Sequence, residues 1–167
     1  MALRKIICIE DELLRKKSRP VEKFDEKLHK LLDDMAETMY NANGVGLAAP
    51  QVGILRRAVV IDVGEGLVEL VNPVIVESDG QQSGPEGCLS IPGRSGVVTR
   101  PNHVKVRAQD PEGNPVELEA QEFFARAVCH ELDHLDGVLY VDKMDREILE
   151  GDEEYEPVDG DEEEDGE

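Results

Sequence analysis

Apolar residues recur along this chain with two periods, and each period predicts a kind of element. Over residues 25–40 the apolar positions are Leu28, Leu31, Leu32, Met35, Ala36 and Met39. These steps of three and four form one stripe of an α-helix. Asp25 stands where an N-cap belongs, because its short carboxylate can accept a first-turn N–H. His29 lies off the stripe and is expected to face solvent. A second helix is predicted over 121–136, burying Phe124, Ala127, Val128, Leu132 and Leu135, with Gly137 where a terminating glycine belongs. The unbroken apolar run in 57–62, bounded by Gly64 and Gly66, predicts a buried strand. Residues 67–77 read as extended, with Pro73 marking an edge or a break. Residues 79–85 read as loop, and 97–98 and 103–107 as strands separated by Pro101 and Asn102. The turn at 110–114 combines the fixed φ of Pro111 with the freedom of Gly113, so 115–118 returns as the second arm of a hairpin. Residues 11–17 suit a short helical turn with acids first and bases last, ended by Pro20. Residues 140–144 are predicted extended, and 146–149 a helical turn.

The length, 167 residues, suits one domain with a real core. With no Trp, three Phe and three Tyr, that core must be aliphatic. The net charge of −20 is uneven, since residues 151–167 hold eleven acids and no Lys or Arg. Removing those eleven from −20 leaves −9 on the first 150 residues. The expected organisation is therefore a catalytic domain over 1–150 and an acidic, disordered tail over 151–167. This charge argues against direct binding to nucleic acid or anionic membrane. Three cysteines, Cys8, Cys88 and Cys129, show no disulfide spacing and read as free thiols of a reducing compartment. The apolar run at 6–9 is too short for a signal sequence or a membrane span. A cytoplasmic protein is expected.

The chemistry gathers around His130-Glu131-Leu132-Asp133-His134 on the second predicted helix. Residues four apart share a helix face, so both imidazoles can reach one metal ion while Glu131 projects beside them. That is an arrangement for metal-assisted hydrolysis, with water in an open position and the carboxylate taking its proton. An exposed helix face without metal has the same spacing, so a third ligand is needed. His103 is one candidate, although a strand histidine is more commonly a surface residue. Cys88 is another, in the glycine- and proline-bracketed stretch 85–93, where a cation could lower its pKa; a buried structural cysteine reads the same way. Cys129 points about 100° away from the His130 face and is expected to be a core thiol.

Three stretches, Gly44-Val45-Gly46-Leu47-Ala48-Ala49-Pro50-Gln51, Glu86-Gly87-Cys88-Leu89-Ser90 and the His130–His134 run, together resemble the three signature motifs of the peptide deformylases. They occur in that family's order and at its separations, over roughly residues 1–145. The resemblance implies an α+β fold, with antiparallel sheets packed around a central helix carrying the H-E-x-x-H run. It implies a hydrolase that removes the formyl group from the N-terminal formyl-methionine of new polypeptides, releasing formate. Carried across by residue, Cys88, His130 and His134 would be the metal ligands. Glu131 would be the general base and then the acid, and Gln51 with the backbone N–H of Leu89 would hold the oxyanion. Gly44, Val45, Gly46 and Gly87 would receive the peptide, whose backbone can lie close to glycines by β-pairing.

Thiolate with two imidazoles suits Zn²⁺, Fe²⁺, Co²⁺ or Ni²⁺, and the resemblance implies one divalent ion, Fe²⁺ in the cell. Two departures stand out. Cys129 occupies a position that is often Gln in the family. An acidic segment also stands where some members carry a basic extension that docks on the ribosome, so proximity to the ribosome would need another contact. Glu86 and Asp133 are candidates for orienting ligands or for pairing with Arg100 or Arg126, although an ordinary surface salt bridge reads the same way; Glu86 is expected to pair with Arg100 and fix the ligand loop. Two rival readings remain open at this point. One is an H-E-x-x-H metalloprotease, against which an upstream cysteine ligand argues; the other is a closed structural zinc site, which would need a fourth ligand.

Overall fold

The computed structural model describes residues 2–149; the predicted acidic tail lies outside them. Its elements are α1 (Glu26–Asn41), β1 (Gly46–Ala48), β2 (Ala58–Ile61), β3 (Val68–Asp79), β4 (Gln82–Cys88) and β5 (Ile91–Arg100). There follow β6 (His103–Gln109), β7 (Pro115–Gln121), α2 (Glu122–Leu135), α3 (Tyr140–Lys143) and β8 (Arg146–Ile148). Single 3-10 turns occupy Glu12–Arg15 and Ala49–Val52. One antiparallel sheet runs β1-β2-β3-β6-β7 and a second β4-β5-β8. This is the expected α+β class.

The sequence of β2 shows why the larger sheet is covered on both faces. Side chains alternate across a strand, and all four residues of β2 are buried. Ala58 and Val60 pack with Leu28, Leu32, Met35 and Met39 of α1. Val59 and Ile61 pack with Val128, Leu132 and Leu135 of α2. A strand buried on both sides has no reason to alternate, which explains the unbroken apolar run. On its other side α2 meets the smaller sheet, where Arg126 donates to the carbonyls of Gly84 and Val98. The helix carrying His130 and His134 is thus central.

Local chemistry sets the boundaries. Asp25 caps α1 by accepting from the Leu28 N–H at 3.2 Å. Gly137 ends α2 at φ +75°, and a side chain there would overlap the Arg15 carbonyl. Pro73 sits at a register shift between Val71 and Val74. Asn72 precedes it in the left-handed region that Asn tolerates, and bonds Val21 through both amide groups. β3 lies inside the sheet, so the proline marks the break and not an edge.

Three predicted elements differ. Residues 79–85 are not loop: β3 runs to Asp79, Gly80 turns the chain at φ +71°, and β4 starts at Gln82. β4 lacks strand-forming composition and is held by pairing with β5, including a 2.8 Å bond between Ser83 and Thr99. Residues 140–143 are a helical turn, because Asp142 accepts from the Leu139 N–H at 2.9 Å. Residues 146–148 are extended, paired with β5 and supported by Arg94 donating to Glu147 at 2.8 Å. His29 is half-covered, with Nε2 2.8 Å from the Pro111 carbonyl at the β6–β7 turn.

Asp34 ties the N-terminal segment to α1. It is 2% exposed and accepts from the Ala2 N–H, Arg4 Nε and Lys30 Nζ. Burial opposes its charge, but these donors hold the carboxyl below its usual value. A depressed carboxyl stabilises the fold above its unfolded pKa, near 3.9, and that contribution fades as pH falls through the folded value. Asp34→Ala is expected to cost about 1.5–3 kcal/mol at pH 7. Urea unfolding should show the deficit shrinking as pH drops below about 4.

Candidate metal centre

Two chain segments bring the chemistry together. β4 ends at Cys88, and the two-residue turn Leu89–Ser90 leads into β5, with Cys88 opposite Ile91. α2 presents His130 and His134 one turn apart, with ring centroids 5.1 Å apart and nearly perpendicular. One donor atom from each of Cys88, His130 and His134 lies within 4.8 Å of the others. Cys88 Sγ is 3.4 Å from His134 Nε2. This donor set fits one borderline-soft divalent cation, and among the described residues no other His, Cys, Asp or Glu joins the group. His103 is elsewhere, 2.7 Å from Glu119 on the sheet surface. Cys129 is buried apart from the cluster in the core, and burial pushes its thiol up.

A buried charge network fixes the ring of His130. Its Nδ1 donates to Glu86 Oε1 at 3.0 Å, which turns Nε2 toward Cys88 and His134. Glu86 takes two further bonds from Arg100, at 2.8 and 2.9 Å, and one from Arg126 at 2.7 Å. Arg100 also donates to Asp133 at 2.7 Å, and Lys143 to Asp133 at 3.2 Å. Burial opposes ionisation of Glu86, yet Arg100 and His130 hold its carboxyl far below the usual range. The expected Glu86–Arg100 pair is present, with Arg126 as an additional partner.

Glu131 stands apart from that network. Burial pushes its carboxyl up to about 7, and Oε1 has no partner among the described residues. β1 passes directly over it, and a side chain at Gly46 would overlap Glu131 Oε2. Only glycine allows that approach. Gln51 is 1% exposed, and its amide is oriented by the Ala48 N–H donating to Oε1 at 3.0 Å. Its Nε2 donates to Ser90 Oγ at 3.0 Å and points to Cys88 Sγ at 3.5 Å.

A pocket of about 340 Å³ opens on this cluster. Gly44, Val45, Gly46, Gln51, Gly87, Cys88, Leu89, His130 and Glu131 all line it. β1 is an edge of the larger sheet and β4 an edge of the smaller, so the pocket lies between two strand edges. Phe123, Arg126 and Ala127 complete the wall. Sequence alone does not point to Phe123 or Ala127 as site residues, and Arg126 figures there only as a partner for Glu86 or Asp133. Their spacing to His130 and His134 by threes and fours was the available signal, since it places all five on one face of α2.

The polypeptide deformylase family model matches residues 3–148. The peptide deformylase of Caldicellulosiruptor bescii is 63% identical over 150 residues, 90% of either chain. Peptide deformylase 1 of Clostridium acetobutylicum is 62% identical over 86% of this chain and 96% of its own. The crystal structure of peptide deformylase from Thermotoga maritima superposes with a TM-score of 0.84 at 46% identity, covering 85% of this chain and 97% of that one. A peptide deformylase from Synechococcus elongatus in complex with actinonin gives 0.82 at 41% identity, over 84% and 78%. The converging thiol and imidazoles, the buried carboxylate and these matches lead to one conclusion: the chain belongs to the polypeptide deformylase family, metal-dependent hydrolases that remove the formyl group from the N-terminal methionine of nascent peptides.

Proposed function

We propose that Cys88, His130 and His134 hold one divalent cation, and that Glu131, Gln51 and Leu89 act on the formyl group of a peptide lying between Gly44–Gly46 and Gly87. The observation that carries this reading is the convergence of the three donors within 4.8 Å on the wall of a pocket that Glu131 also lines. When bound, the cation supplies Lewis-acid polarisation and lowers the pKa of water. The protein supplies position and proton transfer. Glu131 takes the proton of the attacking water and returns it to the peptide nitrogen as the formyl carbon–nitrogen bond breaks, which releases formate and a free methionine amine. Gln51 Nε2 and the Leu89 N–H donate to the formyl oxygen as it gains charge. The edges of β1 and β4 accept peptide backbone by β-pairing at Gly44, Val45, Gly46 and Gly87, so recognition needs few contacts specific to sequence.

Formate release from formyl-Met-Ala-Ser tests the reading, with an internally cleavable peptide as the control that should remain intact. Gln51→Leu is expected to lower kcat about 10²–10³-fold, with bound metal unchanged. Retained activity would remove Gln51 from the oxyanion role.

The donor set admits Zn²⁺, Fe²⁺, Co²⁺ and Ni²⁺; the family resemblance favours Fe²⁺ in the cell. Elemental analysis of anaerobically purified protein, paired with the formate assay, distinguishes them. Among the described residues no helix is long and apolar enough to cross a membrane, and the three cysteines are free. The free thiols suit a reducing compartment, and with the family's nascent-peptide substrates they support action in the cytoplasm. The acidic segment 151–167 would repel RNA, so the substrate peptide, and not this segment, makes any encounter with the ribosome.

A further inference from the structure

A groove of about 1070 Å³ lies away from the metal centre, between the start of α1 and the turn that precedes β2. Six cations line it: Arg4, Arg19, Lys23, Lys27, Lys30 and Arg56. Glu22 and Asp25 are the acids among its lining residues. Asp34 engages Arg4 and Lys30. Among the described residues, no carboxylate forms an ion pair with Arg19, Lys23, Lys27 or Arg56. Six cations against Glu22, Asp25 and Asp34 leave an excess of positive charge that is unexpected on a chain of net charge −20. Like charges gathered this closely repel one another unless an anion covers them.

We propose that this groove is the docking site of the chain's own acidic segment, residues 151–167. The charges are complementary, since that segment holds eleven acids and no Lys or Arg. The preceding chain also touches the rim of the groove at α3. Arg15 of the 3-10 turn Glu12–Arg15 donates to Asp142 of α3, and Leu13 of the same turn lines the groove. β8 follows α3 directly. A segment of this length reaches roughly 55 Å when extended, more than the roughly 40 Å breadth of a domain of about 150 residues. Each exposed ion pair is weak, but tethering gives the segment an effective concentration on the order of millimolar. The groove is thereby reserved from other polyanions, RNA included. This inference is independent of the roles proposed at the metal centre.

Zero-length carbodiimide cross-linking of the dilute, metal-loaded full chain tests it, with mass spectrometry of the monomer. Lys23, Lys27 and Lys30 should join acids of 152–167 several-fold more often than Lys5, Lys105 or Lys143 do. The links should disappear between about 0.02 and about 0.5 M salt, as screening shortens the range of these charges. In K23Q/K27Q, which leaves the metal centre untouched, the Lys30 links should fall at least about threefold. An even spread over all lysines, or links found only in a concentration-dependent dimer, would overturn the proposal. It would also be overturned if inorganic polyphosphate bound the groove and left the cross-link pattern unchanged.

Discussion

Glu131→Gln is expected to reduce formate release about 10²–10⁴-fold while leaving the bound metal and the fold intact. The side chain is 4% exposed, and Oε1 has no partner among the described residues. Replacing it with the neutral isostere therefore breaks no structural bond and relieves the cost of burying a charge. Thermal unfolding should occur at the same temperature or slightly higher. What is lost is a base that can take a proton and give it back. Burial, with the Glu86 charge adding to it, pushes this carboxyl up to about 7, and a neighbouring divalent cation pulls it down. The base form is the active one, so kcat/KM should fall as pH drops through a value at or below about 7. That acidic limb should be missing in the variant. A Glu131→Gln protein with full activity would show that the proton is handled elsewhere.

Glu86→Ala should produce the largest loss of stability, and its effect should extend to the metal. Glu86 is buried with Arg100 and Arg126, which are 3% and 5% exposed, and it accepts from both as well as from His130. Removing it leaves two guanidinium groups out of water without their shared counter-charge. Breaking a buried pair in this way costs about 3–5 kcal/mol, equivalent to a drop in Tm of about 6–20 °C for a chain of this size. His130 also loses the bond that aims its ring, so metal affinity should weaken about 10–100-fold. Calorimetry and a competitive chelator titration would measure the two effects. The Glu86 carboxyl is depressed, so its contribution is present above its unfolded pKa and is lost only as pH falls through a much lower folded value. Retention of both Tm and metal affinity in Glu86→Ala would mean that the network decorates the site without holding it.

Features governed by local chemistry were readable from the sequence. The stripes of α1 and α2, the Asp25 cap and the Gly137 stop depend on neighbours within one or two turns. The unbroken run of β2 recorded burial on both faces. The chemistry of the site was legible through its three motifs, and the pairing of Glu86 with Arg100 through the placement of charge beside the ligand loop. What escaped was decided by distant partners. β4 reads as loop because Gly84, Pro85 and Gly87 are poor strand formers, and only its pairing with β5 extends it. The order of α3 and β8 was inverted for a similar reason: β8 exists because Ser95, Gly96 and Val97 offer it an edge. Phe123 and Arg126 joined the pocket wall only once β4 was seen to lie across α2.

X-ray absorption at the edge of the bound metal in the purified, active protein tests the central claim most directly. The geometry predicts a single cation per chain with one sulfur donor and two imidazole nitrogens from the protein, the remaining ligation coming from light atoms of solvent. A spectrum with no sulfur, with two or more sulfurs, or with a third imidazole would contradict it.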